Sequence, residues 1–433
     1  MADPAHIAHL LRRTEFVARP ARVAELQGGT IAEAVNDVTN FAPNANPQVP
    51  ASLAFHDSAN SYNQFLAAYN WWIDSMATRP RSFQEKMTLF WHGHFVSEWD
   101  VVGRTDQMMS QNQLFRDNAL ANFLPLTHAM ALQPAMLVYL SNGVNVRGAP
   151  NQNFARELLE LFTLGVGNYL EDDVAAAARA WTGHNYNQST RLYEFRPTRH
   201  DNDNKTFFGI TRNWDGPETI NEILVNNAAK RLIAAKLISK KLWEFLAYPK
   251  PAAYLVDELA AGFVVDLEIG PLARAILNRP EFYTPEAMQG LVRTPTEWAV
   301  AIMAQTGLTS GAIGLQGYAE RMGQMVFNPP NVAGWKSNGY WMTTSAVSGR
   351  AAVARRVATL LRANGGFDNL AAMSVDGAVD FVIAYFGLAP MATSSRTAVL
   401  NAYAAERSSG TPARAATNLL IMTMLTGEMN VPS

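Results

Sequence analysis

The chain has 433 residues, of which 48% are hydrophobic and 10% aromatic, so it can bury a large core, and its length alone would allow two or three domains. Its 35 basic and 37 acidic residues give a formal charge of −2, which argues against nucleic acid or an anionic membrane as a partner. The absence of cysteine excludes disulfides, thiolate metal sites and a cysteine nucleophile. Any metal must therefore be held by His, Asp, Glu, Asn or water.

Neither a membrane span nor a secretory signal is visible in the sequence. No apolar run reaches the roughly 18 to 20 residues needed to cross a bilayer. The N-terminus, Met1-Ala-Asp-Pro-Ala-His6, lacks a basic segment followed by an apolar stretch. We therefore expect a cytoplasmic location or export together with a partner, and the compartment itself is not decided by the sequence.

Helical periodicity begins at the N-terminus. Short helices are predicted over residues 6–13, 20–26 and 31–41. Residues 42–58, rich in Asn, Pro and Ala, form a predicted loop, and a longer helix begins at Ser61. The next helix follows Ser82, whose spacing from Glu85 is that of a capping box. It runs into His-Gly-His, where Gly93 is expected to weaken or end the helix.

The middle of the chain combines helices with one polar, strand-like stretch. Further helices are predicted over residues 106–120, 123–132, 151–164, 171–181, 217–225, 228–246 and 413–425. Residues 185–210 instead predict a β-hairpin or a long loop with two short strands, which flank a polar tract at 199–204. Residues 327–343 form an irregular insert. Because no long linker divides the chain, we expect a single, mainly α-helical domain spanning residues 1–433.

Two carboxylates and an amide share one face of the helix predicted over residues 151–164. Asn153, Glu157 and Glu160 follow one another at spacings of four and three, and Arg156 precedes Glu160 by four. One interpretation is a structural helix with an Arg156–Glu160 ion pair. The other is a pair of metal ligands or acid–base carboxylates, as in helical di-iron and di-manganese sites.

Histidines supply the other candidate ligands. His92 and His94 would point to different sides of a regular helix, but could converge as two imidazole ligands if the chain leaves the helix at Gly93. Structural histidines bonded to backbone or carboxylate groups are the alternative. His200 and Asp201 lie in the polar tract, which is either a functional loop or a solvated turn.

Several common enzyme classes lose support because their motifs are missing. The sequence contains no G-x-S-x-G, P-loop, G-x-G-x-x-G or H-E-x-x-H pattern. This argues against standard serine hydrolases, nucleotide-binding enzymes and zincins. Among the remaining histidines, His184 follows a predicted helix end, where an imidazolium would interact favourably with the helix dipole.

Several segments together resemble the large bacterial family of unknown function DUF1800. They lie in order between about residues 20 and 345, which makes chance similarity improbable. These segments are Lys86-Met-Thr-Leu-Phe-Trp-His-Gly-His-Phe95, residues 153–169, residues 173–183, His200-Asp201 with Lys205 and Gly209, residues 235–243, and Pro329-Pro-Asn-Val-Ala-Gly-Trp335.

The resemblance implies a mostly helical fold but no settled activity. Members are often encoded beside an exported protein of family DUF1501, which itself resembles the alkaline phosphatase and sulfatase class, and many members carry an export signal. Many members also have His at the position of Phe162 and Trp at that of His184. If Phe162 replaces a ligand, the metal site here is depleted; if His184 compensates, it should lie beside Glu157 and Glu160.

These observations lead to the hypothesis of a metal-dependent enzyme. The predicted metal ligands are His92, His94, Glu157, Glu160 and His200. The predicted catalytic residues are Arg156, Glu160, His200 and Asp201, with Arg156 and Asn153 orienting the carboxylates. A divalent transition metal, with iron or manganese favoured over copper or zinc, would activate water or dioxygen for an unidentified small molecule, and redox chemistry is slightly favoured over hydrolysis. The alternative is a non-catalytic scaffold or maturation partner of a DUF1501-like protein, with a structural polar cluster.

Overall fold

Helices form most of the computed structural model of the chain, which describes residues 1–41, 48–79, 82–187, 189–363 and 365–431. The fold is 65% helical, with 24 α-helices and two small antiparallel sheets in the described residues. The mainly α-helical class expected from the sequence is therefore confirmed. None of the described helices combines the length and apolar character that crossing a membrane requires.

Eleven α-helices precede the first strand in the described part of the chain. They are α1 Pro4–Thr14, α2 Pro20–Leu26, α3 Ile31–Thr39, α4 Ser61–Thr78, α5 Phe83–His94, α6 Trp99–Val102, α7 Thr105–Asp117, α8 Phe123–Ala131, α9 Pro134–Tyr139, α10 Asn153–Glu157 and α11 Glu171–Ala180. α10 continues without a break as a π-helix, Leu158–Leu164, in which Thr163 donates a side-chain hydrogen bond to the carbonyl of Leu158. The wider π-helical turn changes which side chains share a face beyond residue 157.

Two separate hairpins follow, where the sequence predicted either one hairpin or a long loop with two short strands. β1 His184–Tyr186 pairs with β2 Tyr193–Phe195, and β3 Lys205–Phe207 pairs with β4 Ile210–Arg212. The two strand-like segments recognised in the sequence thus belong to different sheets. The polar tract at residues 199–204 connects the two hairpins instead of forming the tip of one, which brings it back beside β1.

The second half of the chain is helical again. Its helices are α12 Gly216–Asn221, α13 Ala228–Leu246, α14 Ala253–Phe263, α15 Ile269–Leu277, α16 Pro285–Met288, α17 Pro295–Thr306, α18 Ser310–Ile313, α19 Gln316–Met322, α20 Thr344–Ala363, α21 Val375–Tyr385, α22 Thr393–Ser409, α23 Pro412–Met424 and α24 Gly427–Asn430. α12 continues as a second π-helix, Glu222–Asn226. The insert predicted at residues 327–343 has no α-helix or β-strand, apart from a 3₁₀ turn at Asn338–Met342.

The buried apolar side chains form two hydrophobic clusters. One takes side chains from α1, α3 and α5 and from most helices between α8 and α15, and the other takes side chains from α4, α17 and α19 to α23. Tyr139 at the end of α9 packs against both clusters. Helix α5 contributes to both, so His92 and His94 lie deep in the molecule.

Two local predictions need correction, and one lies partly outside the described residues. Ser82 makes no capping hydrogen bond with its side chain; Glu85 is buried instead and accepts hydrogen bonds from Trp72, Arg79 and Arg116. Gly93 does not end α5, which continues to His94. In the predicted loop 42–58, residues 42–47 are not described, and the rest contains one 3₁₀ turn, Ala51–Leu53.

Candidate functional site

A cluster of two histidines and one aspartate lies where the two hairpins meet the start of α12. His184 is the first residue of β1, His200 follows the 3₁₀ turn Pro197–Arg199, and Asp215 is the N-cap of α12. One ligand atom from each lies within 4.8 Å of the other two. No other group of three or more His, Asp or Glu side chains in the described chain comes together in this way.

The backbone of residues 182 and 183 orients His200. Nδ1 of His200 lies 2.8 Å from the carbonyl oxygen of Thr182, so this nitrogen carries the proton and donates. Nε2 then carries a lone pair, and it has no hydrogen-bond partner among the described residues. Gly183 has φ +79°, and a Cβ there would approach the carbonyl oxygen of Arg196 at 2.7 Å and the amide nitrogen of His200 at 3.1 Å. Only glycine permits this close packing of β1 against His200.

His184 is buried and bonded through both ring nitrogens. Nδ1 accepts from the Tyr193 hydroxyl at 2.9 Å, and Nε2 donates to Oδ1 of Asp215 at 2.9 Å. The rings of Trp181 and Phe195 pack against the imidazole at centroid distances of 4.8 and 4.9 Å. The strand pairing explains this geometry, since His184 lies opposite Phe195 in the β1–β2 register.

Asp215 supplies the negative charge and the solvent-facing side of the cluster. Burial raises the pKa of this carboxyl, but the hydrogen bond and charge of His184, with His200 nearby, bring the pKa below its usual value. The Asp215 side chain is 45% exposed, whereas that of His184 is 2% exposed. The cluster therefore reaches solvent on its aspartate side.

Asp201 holds the connecting loop in place beside this cluster. Its carboxylate accepts two hydrogen bonds from Arg179, at 2.6 and 3.2 Å, and the pair keeps the pKa of Asp201 low despite partial burial. The Lys205 ammonium donates to the carbonyl oxygens of Asp201 and Trp214 and to the side chain of Asn213. These bonds fix the loop that carries His200.

His92 and His94 lie on different sides of α5, because the helix continues through Gly93. Nε2 of His92 accepts from the backbone amide of Phe327 at 3.0 Å. In His94, Nε2 donates to the carbonyl of Phe162 at 3.1 Å and Nδ1 accepts from the Lys241 ammonium at 3.1 Å. Burial lowers the pKa of His92 to about 3 and that of His94 well below its usual value, so both rings are neutral.

The polar residues of α10 and its π-helical continuation make separate contacts. Arg156 forms a bidentate ion pair with Glu171, at 2.8 and 2.7 Å, in place of the predicted pair with Glu160. Glu160 accepts a 2.5 Å hydrogen bond from Tyr169, and Asn153 is exposed. Glu157 is half-buried, and its burial together with the neighbouring charge of Glu160 raises its pKa. These side chains form no three-ligand group with a histidine in the described structure.

The structure thus brings one predicted ligand, His200, together with two residues that the sequence did not select as ligands. His184 is hydrogen-bonded to Asp215 and lies in the cluster with His200. It does not lie in a ligand group with Glu157 and Glu160 in the described structure, as the sequence would require if His184 compensated for a lost ligand. A signal for the pair was present in the sequence. Tyr186, two residues after His184, can pair with Tyr193, and Asp215-Gly-Pro is typical of an aspartate N-cap before a helix. Recognising strand β1 would have placed His184 beside the polar tract.

Comparison with known proteins identifies the family without a function. The family model described as "Protein of unknown function (DUF1800)" matches residues 9–430, nearly the whole chain. No curated protein and no solved structure matches the chain. The match extends well beyond the segments that carried the resemblance, and it includes every residue of the His184, His200 and Asp215 cluster. The chain therefore belongs to the DUF1800 family.

Proposed function

We propose that this chain is a metal-dependent enzyme whose divalent transition metal is held by Nε2 of His184, Nε2 of His200 and a carboxylate oxygen of Asp215. The observation that carries the proposal is the orientation of His200. Its Nδ1–H is bonded to a backbone carbonyl, which leaves Nε2 without a hydrogen-bond partner among the described residues. One ring nitrogen of His200 lies within 4.8 Å of ligand atoms from His184 and Asp215. Histidine ligands of metals are commonly held by such a bond from the other ring nitrogen.

The donor set indicates which metals fit. Two imidazoles and one carboxylate are the ligands of non-haem iron oxygenases, and the same donors also suit manganese, zinc and copper. Three protein ligands leave coordination positions open for water and substrate. Iron or manganese is therefore favoured, and redox chemistry is slightly favoured over hydrolysis. A bound ion of this kind would supply activation of water or dioxygen.

The surrounding residues hold the ligands and leave one side accessible. The Tyr193 hydroxyl and the Thr182 carbonyl fix the two imidazole rings through Nδ1. Metal binding would require the proton that His184 now carries on Nε2 to move to Nδ1, which would then donate to the Tyr193 hydroxyl. Because Asp215 is the exposed member of the cluster, we expect a substrate to approach from its side.

One observation favours the competing, structural role for this cluster. Both nitrogens of His184 are already satisfied by protein groups, Tyr193 and Asp215, as in a buried network that needs no ion. In that case the chain would act as a scaffold or maturation partner, of a DUF1501-like protein for example. The two functions differ in whether the purified protein binds metal stoichiometrically.

The decisive experiment is metal analysis by mass spectrometry of protein purified without an affinity tag or chelator. We expect near-stoichiometric iron or manganese in the wild type, and its loss in the His200→Ala and Asp215→Asn variants. His128→Ala is the matched control, because His128 is bonded to Asn221 outside the cluster. Circular dichroism would verify that each variant is folded. No metal in the wild type after reconstitution with iron, manganese, copper and zinc would refute the enzyme proposal and favour the structural role.

A second variant tests the ligand set that the sequence predicted. We expect the His92→Ala, Glu157→Ala double variant to retain the metal if it folds. The ligand set proposed above would be contradicted if the folded double variant lost the metal while His200→Ala kept it fully. That result would show that the metal is bound by residues of α5 and α10.

A further inference from the structure

A cavity lies between α5, α13 and the irregular insert at residues 327–343, and none of its lining residues belongs to the histidine–aspartate cluster. It has a volume of about 270 Å³. Four aromatic side chains line it: Phe90, Phe245, Trp335 and Trp341. Exposed residues of the irregular segment, among them Lys336, border it and form its opening to solvent. Since pockets for drug-sized ligands typically measure roughly 300 to 1,000 Å³, this cavity suits a ligand with one small ring.

The Lys241 ammonium lies in the wall of this cavity, and no anionic partner for it is found among the described residues. It is 2.8 Å from the carbonyl oxygen of Leu161 and 3.1 Å from Nδ1 of His94, and both acceptors are uncharged. No carboxylate forms an ion pair with it in the described part of the chain. Burial lowers the pKa of Lys241 to about 8, opposed in part by the charge of Glu244. Buried charges are normally paired, so an unpaired ammonium in a cavity wall indicates a missing anion.

The other charges around the cavity do not supply that anion. Glu297 is bound by the Lys86 ammonium and accepts the backbone N–H of Thr294. Glu244, one turn along α13 from Lys241, accepts the backbone N–H of Lys250. Because Lys86 neutralises Glu297, the remaining charged side chains that line the cavity are two cations, Lys241 and Lys336, and one anion, Glu244. This excess of positive charge favours a negatively charged ligand.

We infer that this cavity binds a small aromatic carboxylate, whose carboxylate group accepts a hydrogen bond from Lys241 and whose ring packs among the four aromatic side chains. The third N–H of the ammonium is free for this bond, because the other two are directed at Leu161 and His94. The ring would gain offset or edge-to-face contacts with Trp335 and Trp341 as well as burial of apolar surface. This inference is independent of the proposed metal site.

Isothermal titration calorimetry with benzoate and phenylacetate tests the inference on the intact protein. Benzamide and phenylacetamide are neutral probes of nearly the same shape. We expect both acids to bind at least about tenfold more tightly than the amides, because only the acids can pair with the ammonium. We expect Lys241→Met to remove this preference. Lys240→Met is the matched control, since Lys240 is the exposed neighbour on the same helix.

Two further variants keep the result interpretable. His200→Ala should bind benzoate like the wild type, which excludes binding through a metal at the other site. Trp335→Ala removes part of the aromatic wall without touching Lys241, and should weaken the acids and the amides alike. Millimolar acids that fail to bind the wild type, equal binding of acids and amides, or unchanged benzoate binding in Lys241→Met would each overturn the inference. Thermal melting of each variant confirms that it is folded.

Discussion

Glu85 keeps its charge at a fully buried position because three side chains donate hydrogen bonds to it. Arg116 contacts both of its carboxylate oxygens, at 2.7 and 3.0 Å, and Arg79 and Trp72 each donate one further bond at 2.9 Å. Burial raises the pKa of Glu85, but the two guanidinium groups more than offset this and leave it below the usual value. The network connects α4, α5 and α7.

The Glu85→Gln substitution tests how much this network stabilises the fold. Glutamine has nearly the same shape but leaves the buried Arg116 without its counter-ion, so we expect the free energy of unfolding to fall by about 3 to 5 kcal/mol. Urea denaturation followed by circular dichroism measures the change. Glu320→Gln on the exposed surface of α19 is the control and should change stability little. A loss below about 1 kcal/mol would show that Glu85 is not the centre of the network.

The low pKa of Glu85 also predicts a dependence of stability on pH. A carboxyl whose pKa is lower in the folded state than its ordinary 4.5 stabilises the protein above that pH, and this contribution is lost as the pH falls through the folded-state pKa. Glu297, bound by Lys86, shifts in the same direction. We expect urea midpoints to decrease below about pH 4.5 in the wild type. The decrease should be smaller in Glu85→Gln, and an identical slope in both proteins would contradict this assignment.

At the residue scale, local spacing predicts the wrong partners for side chains whose contacts lie far away in the chain. The spacing of Ser82 and Glu85 is that of a cap, yet the acceptor capacity of Glu85 is taken up by Arg116, 31 positions away. Likewise, Arg156 pairs with Glu171 across a turn and not with Glu160 along its own helix. Local spacing favours such pairs only when no better donor or acceptor arrives from elsewhere in the fold.

At the scale of elements, the turn between α11 and β1 determines where His184 and His200 meet. Gly183 provides both a left-handed backbone conformation and a surface without a side chain, on which residues 196 and 200 pack. The β1–β2 pairing then places His184 opposite Phe195, and its ring nitrogens bond to Tyr193 on β2 and to Asp215 at the start of α12. The geometry of the proposed metal site therefore depends on one glycine as well as on its ligands.

Gly183→Ala tests this dependence, with Gly209→Ala as its matched control. Both residues have positive φ, 79° and 80°, but a Cβ at Gly209 meets nothing within 4 Å. The left-handed conformation should cost each variant about 1 to 2 kcal/mol. Only Gly183→Ala should also displace His200, so it should have the lower melting temperature and the weaker metal binding. Equal melting temperatures for the two variants would show that the clash is relieved without consequence.

The long periodic helices were predictable, whereas only two of the four short strands, β2 and β3, were recognised in the sequence. The 19-residue helix α13 has the predicted limits, because its apolar residues repeat over five turns and Asn227 caps it. β1 has three residues, too few for an alternating pattern to be distinguished from a loop. The π-helical turns after α10 and α12 leave no mark in the spacing of polar and apolar residues.

At the scale of the whole molecule, buried arginines join segments that are far apart in the chain. Arg293 donates to the carbonyl oxygens of Phe16 and Met429, at 3.1 and 2.9 Å. Arg350 donates to the carbonyl oxygen of Arg293 at 2.7 Å and to the side chain of Asn430. Burial lowers the pKa of Arg293 to about 9 and that of Arg350 to about 10. Hydrogen bonds from these cations therefore hold the segments that follow α1 and precede α17 to α20 and α24.

Asn430→Ala should weaken this assembly. The substitution removes the side-chain oxygen that accepts from the buried Arg350, and leaving a buried donor unsatisfied costs about 1 to 3 kcal/mol. Guanidinium denaturation gives the change in the free energy of unfolding. Asn401→Ala, at an exposed position of α22, should leave that free energy nearly unchanged. If the two variants are equally stable, α24 does not contribute through this contact.

The convergence of the candidate site is also a property of the whole fold. His200 was predicted as a ligand from its polar neighbours, and the family resemblance grouped it with His92 and His94. The structure separates them because α5 stays helical through Gly93 and both its histidines bind buried partners. Which polar segments meet in space depends on how the helices pack, and helix periodicity alone does not contain that information.

The hydrogen bond from Arg12 to the carbonyl oxygen of Gly387 spans 375 positions of the chain. During translation at about 5 to 20 residues per second, Arg12 is synthesised on the order of 20 to 75 seconds before this acceptor. For that interval the guanidinium of Arg12 lacks this acceptor, and the cluster that contains Ile7, Leu10 and Leu11 is complete only after residues as late as Ala287 have been made. α1 is thus a segment that nascent-chain chaperones would encounter early.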